Sequence, residues 1–276
     1  YNAWREFYVN DAGNQIEKFG CSLEARYLQI FKGDEIEFPE DGYQGEDIKD
    51  LAKEYADLNG DSLVNVSAEE RKKALVDYAL PKNIEKMQAD MEKYKIFYDK
   101  WFFESELHKS GAVKAVVDLL TKKGLTYEKE GAVWYKNKEV LTQKLLKEGK
   151  SQKYIDNLEL KDDVLIRQNG NPTYFTADIA YHKNKFDRGF TTLIDVWGAD
   201  HHGHVMRMKG AMDAIGYDGD KLNVVLMQLV KLVKDGELVK MSKRTGKAIQ
   251  LGDLLDEVPV DSARFLFNTK EANTQM

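Results

Sequence analysis

Thr192-Leu193-Ile194-Asp195-Val196-Trp197-Gly198-Ala199-Asp200-His201-His202-Gly203-His204 decides the fold. Its first half is an apolar run of strand length, and its second half is a glycine-aspartate turn leading into a helical pattern over 204–215 that stops at Gly216. Upstream, an Asn171-Pro172 turn opens Thr173-Tyr174-Phe175-Thr176, and a helix follows over 177–186. Downstream, Asn223-Val224-Val225-Leu226-Met227 is another strand. This β-α-β-α-β alternation, with strands that are nearly continuous apolar runs, predicts an α/β fold: a doubly wound parallel sheet covered on both faces.

In an open parallel sheet, ligands bind at the carboxyl edge of the strands. There Gly198 would let a ligand approach the backbone, and Asp200 would accept hydrogen bonds from ribose hydroxyls. The same residues also make an ordinary strand exit with an N-cap aspartate, and on their own they do not choose between the two. His201, His202 and His204 invite a metal reading. Their spacing lacks the i, i+4 face of a helical zinc pair and no cysteine assists, so no metal site is expected.

A second constellation, Lys240-Met241-Ser242-Lys243-Arg244, follows Lys231 and Lys234 and precedes Gly246 and Lys247. Two lysines flanking a small serine on a loop can surround a triphosphate and stabilise the charge that develops as pyrophosphate leaves. A basic pentapeptide alone is usually a solvated loop. This one stands one helix and one strand beyond the Gly-X-Asp turn, where the second half of a nucleotide-binding fold would place it.

Composition sets the outer bounds. With 276 residues, 42% of them apolar and 11% aromatic, the chain can bury a substantial core. No run approaches the roughly 18 apolar residues that a membrane span requires, and the first residues lack the pattern of a signal peptide, so a cytoplasmic protein is expected. The single cysteine, Cys21, excludes an internal disulfide. A net charge of −6 argues against broad nucleic-acid binding. Residues 31–100 hold 11 Lys/Arg against 18 Asp/Glu, so the acidity is concentrated there and a nucleic-acid partner is permitted only locally.

The first half is less regular. Arg5-Glu6-Phe7-Tyr8-Val9-Asn10 reads as a strand, followed by turn and helix-cap chemistry in 11–15. Helical spacing recurs over 45–55 and 68–101, with Pro81 expected to punctuate it, which describes a helical subdomain with an acidic exterior. Residues 101–106 form a possible strand, 112–124 an amphipathic helix ending at glycine, and 132–136 a short strand.

Lys240 to Arg244 resembles the KMSKS signature of class I aminoacyl-tRNA synthetases, with Arg in place of the last Ser. Within that class the chain is similar to bacterial-type arginyl-tRNA synthetases. The blocks that carry the likeness are Phe7-Tyr8-Val9-Asn10-Asp11-Ala12-Gly13-Asn14-Gln15-Ile16, Thr173-Tyr174-Phe175-Thr176-Ala177-Asp178-Ile179-Ala180-Tyr181-His182, Val196-Trp197-Gly198-Ala199-Asp200-His201-His202 and Asp261-Ser262-Ala263-Arg264-Phe265. They cover both ends well and the middle poorly.

The resemblance implies that Tyr174 and Asp178 contact a substrate arginine, with Asn10 and Asp11 near or beneath that pocket. It assigns Gly198, Asp200, His201, Lys240, Met241, Ser242 and Lys243 to ATP, with Lys240 and Lys243 as the catalytic pair. Placed four apart at a helix start, Tyr174 and Asp178 would share one face, and an aspartate can hold a guanidinium through two parallel charge-assisted hydrogen bonds. They could equally be a capping and packing pair. The implied activity is ATP-dependent formation of arginyl-adenylate and transfer to tRNA-Arg, with magnesium accompanying ATP, tRNA required for activation, and a monomeric protein.

The chain departs from the family pattern in two ways. Its only His-X-Gly-His string, His201 to His204, stands in the second half, so the expected object is a partial catalytic domain that starts beyond the family's first signature and stops before the anticodon-binding domain. The middle fits two insertions: residues 1–23, 94–121 and 172–276 would be catalytic domain, 24–93 a first helical insertion and 122–171 a second. Residues 141–163 carry no block that can be placed in the family pattern, and their role stays open. Two other readings stay open: an inactive piece or binding-only paralogue, and another class I synthetase or related nucleotidyltransferase.

Overall fold

The computed structural model describes residues 2–230, 233–234, 237–238 and 250–274. In chain order the elements are β1 (Glu6–Val9), α1 (Asn14–Lys32), α2 (Glu46–Asn59), α3 (Ala68–Lys93), β2 (Lys100–Phe103), α4 (Glu104–Lys109), α5 (Ala112–Lys122), β3 (Thr126–Lys129), β4 (Ala132–Tyr135), α6 (Asn137–Lys147), α7 (Gln152–Asp156), β5 (Asp163–Ile166), α8 (Tyr174–Asp187), β6 (Leu193–Gly198), α9 (His202–Ile215), β7 (Leu222–Met227), β8 (Val233–Lys234), β9 (Glu237–Leu238), α10 (Leu251–Glu257) and α11 (Val260–Asn268). They divide into two compact units, one built from β1 to β2 together with β8 to α11, the other from α4 to β7.

In the first unit β1 and β2 pair in parallel, Glu6 opposite Lys100 and Val9 opposite Phe103, and the connection between them carries three helices. Their core is one apolar cluster: Leu23 and Tyr27 of α1, Ile48 and Ala52 of α2, and Leu75 and Ala79 of α3 are all buried. Two polar side chains tie the turn between α2 and α3 to this core. The Tyr27 hydroxyl donates to the Gly60 carbonyl at 2.8 Å and accepts the Leu63 N–H at 3.1 Å. Arg71 donates to the carbonyls of Leu63 and Val66 and to Glu24, so its nearly buried charge is both paired and hydrogen-bonded.

Helix α3 corrects two expectations. It runs through Pro81 without interruption, because packing of Leu75, Ala79 and Ile84 on both sides of the proline holds the helix despite the lost hydrogen bond. It also ends at Lys93 rather than reaching Trp101. There Lys95 takes a left-handed backbone (φ 62°), with its N–H and that of Ile96 donating back to Glu92 and Met91. A lysine in that cap position carries no glycine-like stop signal.

In the second unit β3, β4 and β5 form an antiparallel sheet, and β6 and β7 form a parallel pair in full register from Leu193–Leu222 to Gly198–Met227. Helix α9 connects β6 to β7 and stops at Gly216, whose φ of 105° glycine alone adopts without strain. Parallel pairing and the β-α-β connection match expectation. Along β6, Leu193 and Asp195 are buried while Ile194 and Val196 are 68% and 67% exposed.

Residues 141–163, whose role the sequence leaves open, are packed structure. Leu141, Leu145 and Ile155 are buried, and Leu141 seats against Gly210 of α9 so closely that a Cβ there would lie 2.6 Å from Leu141 Cδ2. Lys144 pairs with Asp213 at 2.7 Å on the same helix.

Candidate functional site

The start of α8 is fixed by β5. The Thr173 N–H donates to the Leu165 carbonyl at 2.9 Å, the Thr173 hydroxyl to the Val164 carbonyl at 2.8 Å, and the buried Thr176 hydroxyl to the Leu165 carbonyl at 2.7 Å. Spending both hydroxyls on β5 leaves no side-chain cap on the helix, so its first N–H groups are without that acceptor. Tyr174 is the first helical residue, 45% exposed, and Asp178 follows one turn later with about a third of its side chain exposed. The pair therefore presents a phenol and a carboxylate at the positive end of a helix.

Asp178 is held from behind. His204 Nε2 lies 3.0 Å from Asp178 Oδ2, and Arg207 Nη2 lies 2.8 Å from His204 Nδ1. The other Arg207 Nη donates to Asp163 at the start of β5. The His204 ring sits edge-on to Phe175 with centroids 5.6 Å apart and 5.3 Å from the Trp197 ring, while Arg207 lies over Phe175. Burial raises the Asp163 carboxyl above its ordinary value despite the opposing Arg207 charge.

The turn after β6 is close by in sequence and linked through Trp197. Gly198 has ordinary extended dihedrals (φ −65°, ψ 151°), but a Cβ there would stand 2.6 Å from Asp200 Oδ1, so the glycine makes room for that carboxylate. Asp200 and His201 are largely exposed on the single 3-10 turn 199–201, and the His201 ring lies 6.2 Å from that of Trp197. Among the described residues no three His, Cys, Asp or Glu side chains are grouped to hold a metal ion.

Beneath α8, His182 and Asp195 are buried against each other. His182 Nδ1 is 2.7 Å from the Asp178 carbonyl, its Nε2 meets Asp195, and Lys185 donates to the other Asp195 oxygen at 2.7 Å. Burial would raise the Asp195 pKa, but the hydrogen bonds and charges of His182 and Lys185 outweigh it and hold the carboxyl well below the usual range.

Residues 40–276 match the family described as tRNA synthetases class I (R), catalytic domain. The chain belongs to this family. It is 57% identical to the arginine–tRNA ligase of Caldanaerobacter subterraneus subsp. tengcongensis over 275 residues, and 54% identical to that of Ruminiclostridium cellulolyticum over 278. Those alignments cover 99% and 100% of this chain but 46% of each relative, so the chain spans about half the length of the curated relatives it matches. A solved structure from Campylobacter jejuni, described as an arginyl-tRNA synthetase, superposes with a TM-score of 0.80 at 36% identity, over 98% of this chain and 55% of that one.

Within this class I catalytic domain the residues singled out by sequence fall into three places. Tyr174 and Asp178 share the exposed start of α8, and Gly198, Asp200 and His201 share the turn after β6. Asn10 and Asp11 stand at the carboxyl end of β1 in the first unit, the Asp11 N–H donating to the Val9 carbonyl at 3.0 Å. Lys240, Met241, Ser242 and Lys243 lie outside the described residues. His204, Arg207, Asp163, His182 and Asp195 were not singled out as a network. The available signal was Asp195 itself, since a charge within an apolar strand must find partners if it is buried.

Proposed function

We propose that the protein carrying this sequence is an arginine–tRNA ligase. L-Arginine's carboxylate oxygen attacks the α-phosphorus of ATP, the bond to the bridging oxygen breaks, and pyrophosphate leaves. A hydroxyl of the terminal adenosine of tRNA-Arg then attacks the acyl carbon, loses its proton, and AMP departs. No side chain need act as nucleophile, so the protein contributes positioning and charge stabilisation. The observation that carries this reading is the Asp178 carboxylate beside Tyr174 at the open start of α8, with its back fixed by His204. A carboxylate so placed pairs with a guanidinium in a fork that a lysine ammonium fills incompletely.

In this reading Tyr174 and Asp178 hold the guanidinium, and Asn10 and Asp11 contribute to the arginine pocket. Gly198, Asp200 and His201 face the adenosine, while Lys240, Met241, Ser242 and Lys243 enclose the triphosphate with its magnesium ion. Residues 24–93 and 122–171 are insertions in a catalytic domain made of 1–23, 94–121 and 172–276. The protein works as a cytoplasmic monomer. No described helix is long and apolar enough to cross a membrane. Arginine-dependent exchange between ATP and pyrophosphate, measured with tRNA in the whole protein, tests the reading. Asp178→Asn should lower kcat/KM for arginine by about a hundredfold while leaving KM for ATP nearly unchanged. Equal exchange with arginine and with a neutral amino acid would overturn it.

A further inference from the structure

We propose that His204 is a positioning residue for arginine specificity, locked in one tautomer by Arg207 and Asp163 so that it pins one oxygen of Asp178. This rests on the reading of Asp178 as the guanidinium carboxylate. The hydrogen bonds fix the direction of the relay. An arginine only donates, so His204 Nδ1, 2.8 Å from Arg207, must accept. The ring proton therefore stands on Nε2 and is donated to Asp178 Oδ2 at 3.0 Å. The ring itself cannot turn freely, because Phe175 and Trp197 pack against it and only 12% of the side chain is exposed.

Charge is apportioned along the same line. Arg207 would oppose a cationic substrate, but its charge is met by Asp163, whose side chain is 15% exposed. The group then presents one net negative charge, at Asp178, to a ligand carrying one positive charge. Asp178 Oδ1 and the second lone pair of Oδ2 remain for two parallel bonds from a guanidinium. Asp163 also gives a role to the end of the 141–163 stretch: it anchors the far end of the relay from β5, the strand that fixes the start of α8.

The tautomer is read directly by two-bond proton–nitrogen correlation of the imidazole in this chain at mildly alkaline pH. The expected result is an Nε2–H ring for His204, replaced by a mixture of tautomers in Arg207→Ala. An Nδ1–H ring in the parent chain would overturn the proposal. Arginine affinity, measured by calorimetric titration of L-arginine, gives the second arm. His204→Phe keeps the aromatic packing without a donor and should weaken binding about tenfold or more, whereas His204→Gln, with a donor and an acceptor, should stay within about threefold. Equal affinity of His204→Phe and the parent would overturn the positioning role while Asp178→Asn still abolished binding. A parent chain without arginine affinity would count against the guanidinium reading instead, and the ring-nitrogen measurement would still decide the relay.

Discussion

Asp195 is the residue on which the second unit is most exposed to pH. Its folded-state pKa lies below the ordinary carboxylate value of about 3.9, so its pairing with His182 and Lys185 stabilises the fold above that pH and is lost as pH falls through the depressed value. Asp195→Asn should cost about 3–5 kcal/mol at neutral pH, since it leaves Lys185 and the buried His182 short of their shared acceptor, and the variant should lose less stability than the parent on acidification. Denaturant titrations at neutral and acidic pH check both statements; a parent and variant with parallel pH profiles would refute the account. Single residues were unevenly legible in the sequence. Tyr174 and Asp178 were named by the family resemblance, with which their spacing agrees, because a helix places i and i+4 on one face whatever surrounds it. His204 and Arg207 could not be named, because their roles depend on Asp163, which reaches them only through the pairing of β5 with its neighbours.

Helices and strands followed local pattern where local signals set them. Gly216 ends α9 and Gly124 follows α5 as the stop rules require, and β1, β4, β6 and β7 fall within a residue or two of the apolar runs that announced them. Helix α3 broke the rules at Pro81 and at Lys95, where tertiary packing and a non-glycine cap decided. Pro81→Ala should therefore stabilise the first unit by about 1–3 kcal/mol, observed as a higher unfolding midpoint. The opposite sign would mean that the proline ring itself contributes to the packing of α3. Between α6 and α9 the contact of Leu141 with Gly210 leaves no room for a side chain. Gly210→Val should lower the unfolding midpoint by an amount equivalent to about 1–3 kcal/mol, and Leu141→Ala in the same chain should restore part of it.

At the scale of the whole molecule, class and family were legible because they rest on blocks at both ends of the chain and on strand-helix alternation. The uneven exposure along the β6–β7 pair was not, because a continuous apolar run does not say which of its side chains are buried. Ile194, Val196, Val225 and Met227 all stand exposed on one face of that pair. Ile194→Thr with Val196→Thr should change the unfolding free energy of this chain by less than about 1 kcal/mol while raising its solubility, as seen by light scattering; a large destabilisation would mean that the face is covered in solution. The buried trio of Asp195, His182 and Lys185 has one more consequence. Strand β6 carries apolar side chains toward both of its faces, so alternation of hydrophobicity cannot fix which way it turns. Slipping by one residue against β7 would bury Ile194 and Val196 at no apolar cost, yet it would strip Asp195 of both His182 and Lys185 and leave them without their acceptor. A single buried charge thus acts as the register pin of the strand, and with it sets where the turn carrying Gly198 and Asp200 emerges.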